Sequence, residues 1–167
     1  MIGPVMALTV NGTSGPSADH ADQEPDMTTG RVTILDHSVE QANIWINEMA
    51  EELGTHDRQA AYRALRGFLH ALRDRIPINE GAQLAAQLPE LVRGMYYENW
   101  RPSATPRRYR GRDSFLQAVA DDALLAGATE ASYVVSAGVA VLRRHVSAGE
   151  LDDVVATLPA SIDRLFA

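Results

Sequence analysis

Apolar positions recur in this chain at a constant offset of 70 residues, and this periodicity constrains the fold more than any other feature. The matched pairs include Trp45 and Phe115, Leu72 and Leu142, Leu88 and Leu158, Pro89 and Pro159, and Tyr96 and Phe166. Agreement in phase over such a length indicates a duplicated structural unit. One copy of about 55 to 60 residues is near the lower limit for a stable core, so we expect the two copies to pack their apolar faces together.

The spacing of apolar residues within each copy predicts α-helices. A capping-box pattern at Ser38 predicts the start of the first helix, and Gly54 predicts its end. A second helix is predicted from Asp57 to Arg75, before Pro77, and shorter helices follow it. The second copy repeats this order. We therefore predict an all-α fold, in which a tandem duplication of a roughly four-helix unit packs into one helical domain.

These patterns divide the chain into four segments. Residues 1–35 are rich in Gly, Pro, Ser, Thr and Asp and show no apolar period, which predicts a disordered N-terminal tail. The first helical repeat is expected over residues 36–100, and the second over residues 113–167. An Arg- and Pro-rich linker, residues 101–112, joins the two repeats.

Composition restricts the classes of function open to the chain. The absence of Cys excludes disulfides, thiolate zinc sites and cysteine nucleophiles. A formal net charge of −7 disfavours a general binder of nucleic acid or anionic membranes. The sequence has no run of about 18 apolar residues that would predict a transmembrane helix. We expect a cytoplasmic protein with no membrane partner.

Four stretches of the first copy carry a family resemblance: AYRALR at 61–66, LHALRDR at 69–75, AQLPELVRGMYY at 86–97 and WRP at 100–102. They resemble the bacterial family known as domain of unknown function 2267, and the resemblance extends over roughly residues 38–166. It implies a small, all-helical bacterial protein. It brings no activity, cofactor or catalytic residue that could be carried over to this chain.

The polar residues form no pattern typical of catalysis. Nucleophile elbows, phosphate-binding loops and HExxH motifs are all missing from the sequence. His70 and Asp74 share a helical face at i, i+4, and we interpret them as a surface pair that supports the helix rather than as metal ligands. The adjacent Asp121 and Asp122 are expected to be solvated. We predict no catalytic residue, no metal site and no cofactor.

Arginines form the most distinctive group of candidate binding residues. The group comprises one stripe of the second helix and the linker: Arg63, Arg66, His70 and Arg73, then Arg101, Arg107, Arg108, Arg110 and Arg112. The five linker arginines leave a formal charge of −12 on the remaining residues, since the whole chain carries −7. These guanidinium groups could bind an anion, or they could pair with acidic helices of the same fold or of another subunit. We favour the pairing.

Three aromatic residues, Tyr96, Tyr97 and Trp100, form a second cluster beside this linker. Aromatic side chains next to arginine suit single-stranded nucleic acid or the hot spot of a protein interface. Tyr96 and Trp100 are also spaced i, i+4, and on a helix they would close the junction between the two repeats. We favour this structural interpretation.

Together, these features favour a non-enzymatic helical module that binds a protein partner or self-associates. Binding of an anion or a nucleic acid through the arginines is the alternative. An enzyme with an unrecognised site is the least favoured interpretation.

Removal of residues 1–30 is expected to leave the melting temperature nearly unchanged, because this segment lacks the apolar periodicity needed to offset its ordering entropy. Thermal unfolding of the full chain and of the shortened chain, followed by circular dichroism, measures the difference. A drop of more than about 4 °C, which corresponds to roughly 1 kcal/mol for a domain of this size, would show that the segment contributes to the fold.

Overall fold

The computed structural model describes residues 32–108 and 111–167. These residues contain eight α-helices and no strand. In chain order they are α1 (Thr33–Glu52), α2 (Arg58–Arg75), α3 (Ile78–Ala86), α4 (Glu90–Tyr97), α5 (Arg112–Ala123), α6 (Ala128–His145), α7 (Ala148–Ala156) and α8 (Ala160–Asp163). The predicted all-α class is confirmed. No single helix in these ranges is long and apolar enough to cross a membrane, although α5 and α6, which meet at 86°, together reach the required length and composition.

Several helices begin and end where the sequence predicts. Asp57 caps α2, because its side chain accepts hydrogen bonds from the backbone N–H groups of residues 59 and 60. Ser147 caps α7 in the same way, by accepting from the N–H of Glu150. Gly54 follows α1 in the left-handed conformation, with a φ of 62°, which a residue without a Cβ adopts at little cost.

The start of α1 differs from the prediction. The helix begins at Thr33 rather than at Ser38, so the last residues of the predicted tail are helical. Ser38 is buried inside α1, and its hydroxyl lies 3.0 Å from the carbonyl oxygen of Ile34 and 2.8 Å from Oε2 of Glu90 in α4. Its side chain thus joins α1 to α4 instead of capping the helix. The rest of the predicted tail, residues 1–31, lies outside the described residues.

The starts of three helices recur at the offset seen in the sequence. α6, α7 and α8 begin 70 positions after α2, α3 and α4; α2 and α6 have 18 residues each, and α3 and α7 have 9 each. The first pair differs, because α5 begins 79 positions after α1 and has 12 residues against 20. A side-chain contact recurs as well, since Arg73 donates to the carbonyl of Tyr96 and Arg143 donates to the carbonyl of Phe166. The periodicity of the apolar residues therefore corresponds to a periodicity in helix order and packing.

Helices α1–α4, from the first half of the fold, pack directly against helices α5–α8, from the second half. α2 lies against α5 and α1 lies against α6, while α3 contacts α7. The buried apolar side chains form a cluster to which both halves contribute, with Trp45 and Leu72 from the first half and Phe115 and Leu142 from the second. The two halves therefore share one apolar core.

Two glycines allow α2 to approach its neighbours closely. Phe68 of α2 is fully buried, and a Cβ added to Gly138 of α6 would lie only 2.3 Å from its Cδ1 atom. A Cβ added to Gly67 would lie 2.9 Å from the backbone nitrogen of Ala123 in α5. Positions 68 and 138 are equivalent at the offset of 70 residues, so the same site carries a large side chain in one half and none in the other.

Replacing Gly138 with Ala is expected to destabilise the protein by about 1–3 kcal/mol, because the new methyl group overlaps the Phe68 ring in a packed core. Gly149→Ala is the matched control, since a Cβ there meets no atom within 4 Å. Chemical denaturation of both variants provides the measurement. A Gly138→Ala variant as stable as the wild type would show that the crossing of α2 and α6 is looser than described.

Candidate functional site

The predicted arginine stripe borders an open cleft of about 850 Å³ between α2, α5 and the linker. Its charged lining residues are Arg66, His70, Arg73, Asp74, Glu98, Arg107, Asp113, Asp121 and Asp122. Carboxylates from α5 face the basic residues of α2 across this cleft. The predicted pairing of the arginines with acidic groups of the same fold can therefore be followed contact by contact.

His70 bridges two elements at the floor of the cleft. Its Nδ1 atom lies 2.6 Å from Oδ2 of Asp122, and its Nε2 atom lies 2.7 Å from the carbonyl oxygen of Met95. Both neighbours are hydrogen-bond acceptors, so the imidazole links α2 to α5 on one side and to α4 on the other. The prediction of a surface pair between His70 and Asp74 is wrong, because both residues are buried and each has other partners.

Asp122 receives a second basic group, Arg66. The Nη2 atom of Arg66 is 3.0 Å from Oδ1 of Asp122 and 3.2 Å from its carbonyl oxygen. The hydrogen bond from His70, together with the charges of His70 and Arg66, holds the pKa of Asp122 below its usual value of about 3.8 despite partial burial. The prediction that this carboxylate is merely solvated is wrong, because α2 presents both basic groups to it.

Arg73, Asp74 and Arg107 form an ionic chain between α2 and the linker. The buried Arg73 places Nε 2.9 Å from Oδ1 of Asp74 and donates through Nη1 to the carbonyls of Tyr96 and Glu98, at 2.5 and 3.0 Å. It thereby satisfies carbonyl groups at the C-terminal end of α4, where a positive charge is favourable. Arg107 binds the other carboxylate oxygen of Asp74 at 3.2 Å. The linker is therefore attached to α2 at this point.

The remaining predicted arginines do not join this network. Arg63 is partly buried on α2 and is not among the residues that line the cleft. Arg101, Arg108 and Arg112 are exposed. Arg110 lies outside the described residues.

The three aromatic residues of the predicted cluster have different environments. Tyr96 is buried, its hydroxyl donates to the carbonyl of Gly81 at 3.0 Å, and burial raises its pKa. Tyr97 and Trp100 are half-buried, with ring centres 5.3 Å apart, and the indole of Trp100 donates to Oγ1 of Thr105 at 3.0 Å. The expectation that Tyr96 and Trp100 share a helix is wrong, because α4 ends at Tyr97.

A second ionic cluster was missed in the sequence. Arg144 of α6 pairs with Glu52 and lies 3.5 Å from Glu48, both on α1, and His145 donates to Glu48 at 2.9 Å. The ring of His145 also stacks on Trp45, with centres 4.7 Å apart. The repeat does not reveal this pair: Glu52 is equivalent to Asp122 at the offset of 70, but Arg144 is equivalent to Asp74.

An apolar groove of about 540 Å³ between α1 and α4 was also missed. Its lining residues are Val39, Ala42, Asn43, Ile46, Tyr62, Leu91, Gly94, Met95 and Glu98. Val39 and Leu91 remain 51% and 48% exposed, and a Cβ at Gly94 would meet no atom within 4 Å. We call this feature the α1–α4 groove. The sequence does carry a signal for it: Val32, Leu35, Val39, Ala42 and Ile46 are spaced three and four residues apart and would form an apolar stripe on one helix that starts near residue 32.

A family model described as "Uncharacterized conserved protein (DUF2267)" matches residues 42–165. The chain belongs to this family. The match includes the whole charged cleft and the α4 side of the α1–α4 groove, whereas the first turns of α1 precede it. No curated protein matches the chain. Membership in DUF2267 therefore agrees with the resemblance seen in the sequence and assigns no reaction.

Neither feature of this DUF2267 chain provides a cluster of metal ligands. Within residues 32–108 and 111–167, no three His, Asp or Glu side chains converge in a way that could hold a metal ion. The polar groups of the cleft are directed at one another: Asp122 binds two basic groups of α2, and Asp74 binds two arginines. These ion pairs and hydrogen bonds hold α2, α4, α5 and the linker together.

Asp122→Asn is expected to lower the free energy of unfolding at pH 7 by about 1–3 kcal/mol, because it weakens charge-assisted hydrogen bonds in a partly buried site. The folded-state pKa of Asp122 lies below its unfolded value, so this stabilisation is present above about pH 4 and is lost as the pH falls through the folded value. The difference between wild type and variant should shrink over that range.

Asp121→Asn is the control, since Asp121 is exposed and accepts only from Gln117 within the described residues. Urea unfolding of the three proteins between pH 3 and pH 7 provides the measurement. Equal losses of stability in the two variants would contradict the assignment of Asp122 to the ionic network.

Proposed function

We propose that this chain is a non-enzymatic helical module that binds another protein through the α1–α4 groove. The proposal rests on one observation: the groove is concave, and apolar side chains on its walls remain exposed to solvent. Val39 and Leu91, on opposite walls, each leave about half of their surface in solvent, although the fold buries most other large apolar residues. Contiguous exposed apolar surface of this kind is typical of interaction sites.

The dimensions of the groove favour a helix as its ligand. From Val39 to Ile46 the α1 wall extends over two helical turns, or about 10 Å. A partner helix with apolar residues at i, i+3 and i+7 would place one face along such a length. Gly94 leaves room for these side chains, because its position in α4 is open.

The charged cleft supports the alternative less well. Arg66, Arg73 and Arg107 are already paired with Asp122 or Asp74, so an incoming anion would have to compete with fixed carboxylates. The alternative, binding of an anion or nucleic acid, depends on Arg101, Arg108 and Arg112. These three are exposed and have no ion pair within the part of the chain that the structure describes.

Leu91→Glu is expected to abolish capture of a protein partner from the native cell, because a charge in the groove opposes burial of an apolar helix face. Leu124→Glu is the matched control, as Leu124 is 76% exposed and lies outside the groove. A captured protein counts as a partner when its purified form binds the wild-type chain. A partner that binds Leu91→Glu as well as it binds the wild type and Leu124→Glu would contradict the groove as its binding site.

The alternative is tested in parallel with a labelled single-stranded RNA at about 150 mM salt. Submicromolar binding that is lost when Arg101, Arg108 and Arg112 are replaced with Gln would overturn the proposal and establish the polyanion-binding alternative. The slope of log K against log salt should then fall by up to about three units in the triple variant.

A further inference from the structure

We propose that a cavity between the last turn of α2 and the loop of residues 98–107 binds a small anion that carries a planar aromatic ring, such as a nucleoside monophosphate. We call it the linker cavity. Its volume of about 670 Å³ lies within the range typical of small-molecule sites, about 300–1,000 Å³. No residue lines both this cavity and the α1–α4 groove, so the inference goes beyond the proposed function.

The linker cavity has a basic lining in a chain that is acidic overall. Its polar and aromatic lining residues are Asp74, Asn99, Trp100, Arg101, Thr105 and Arg107. Two arginines line it against one carboxylate, whereas the neighbouring charged cleft has five carboxylates against three arginines and one histidine. A small anion is therefore bound more favourably in the linker cavity than in the cleft.

The single carboxylate of the cavity is already paired. Oδ1 of Asp74 lies 2.9 Å from Nε of the buried Arg73, and its Oδ2 lies 3.2 Å from Nε of Arg107. Arg73 thus adds a third positive charge next to the lining. An incoming anion meets an excess of positive charge around Asp74 rather than a free carboxylate.

Three side chains of the cavity remain available to a ligand. Arg101 is exposed and has no ion pair within the described residues, and the side-chain amide of Asn99 makes no hydrogen bond there. Arg107 contacts Asp74 through Nε, yet 57% of its side chain stays exposed. Because guanidinium groups bind phosphate and carboxylate through paired N–H donors, we assign the anion to Arg101 and Arg107.

Trp100 provides the surface on which the ring of the ligand stacks. It is half-buried, it lies beside Tyr97 with ring centres 5.3 Å apart, and its indole N–H donates to Oγ1 of Thr105 at 3.0 Å. These contacts fix the indole at the cavity. A fixed aromatic side chain next to an unpaired arginine suits a flat ring that bears an anionic group, because the ring stacks while the anion is neutralised.

The loop that forms the cavity is held by hydrogen bonds of its own. The hydroxyl of Thr105 donates to the carbonyl of Arg101 at 3.2 Å, and the backbone N–H of Arg107 donates to the carbonyl of Asp74 at 2.5 Å. Arg101 contributes to the loop only through its carbonyl group within the described residues. The site is therefore preorganised, and the side chain of Arg101 is available to the ligand rather than to the fold.

Binding is tested by titrating the full chain with adenosine monophosphate while the indole N–H signals are followed by NMR. The chain has two tryptophans, and Trp100→Phe assigns their signals. We expect the Trp100 signal to shift, with a dissociation constant below about 1 mM, while that of Trp45, which is 1% exposed, stays in place. Adenosine and ribose phosphate, each of which lacks one part of the ligand, should bind at least about tenfold more weakly.

Indoleacetate, a flat ring that bears a carboxylate, is titrated in parallel. Saturable binding of either ring anion supports the site, and the tighter of the two identifies its anionic group. The inference is overturned if neither moves the Trp100 signal at about 5 mM, or if ribose phosphate binds as tightly as adenosine monophosphate.

Arg101→Gln is expected to weaken binding of the ring anion at least about tenfold without a change in melting temperature, because its side chain contacts only the ligand. Arg108→Gln is the matched control, since Arg108 is an exposed arginine of the same segment that does not line the cavity. An equal loss of affinity in the two variants would reject the linker cavity as the binding site.

Discussion

The close approach of α2 and α6 depends on the absence of a side chain at Gly138, because a Cβ there would overlap the Phe68 ring. The two positions are equivalent in the repeat, so a symmetric sequence would place two identical side chains against each other. Two phenylalanines would separate the helices, and two glycines would leave a cavity. With one large and one absent side chain, the Phe68 ring is fully buried at this crossing.

Close approach of α2 to its neighbours also determines where charges meet. α5 lies against α2 at Gly67, which brings Asp122 to Arg66 and His70. On the other side of the fold, α1 lies against α6, and Glu52 meets Arg144. The basic residues that appear segregated along the sequence are therefore partly neutralised by carboxylates of the opposite half. Arg66, His70 and Arg73 of the arginine stripe thus have carboxylate partners within the fold.

Apolar surface is covered less completely at one place. The helices bury the apolar faces of both halves, yet the α1–α4 groove and the first turns of α1 retain exposed Val and Leu side chains. α1 has to be long enough to reach both α4 and α6, and its first turns extend past the residues that these helices cover. The candidate interaction surface is thus a consequence of the way in which a long helix is shared by the fold.

Helix type, helix order and most of the core follow from the sequence, because they depend on local spacing: Trp45, Leu72 and Phe115 are buried as their periodicity predicts, and Asp57 and Ser147 cap their helices. Most partners of Arg73, His70 and Asp122 do not follow from it, because they come from segments 23 to 56 residues away that only the packing brings together. The same reason applies to the α1–α4 groove. Its two walls are separated along the chain, and whether a Val or Leu is covered depends on the neighbour that tertiary structure places beside it, not on the residues next to it in sequence.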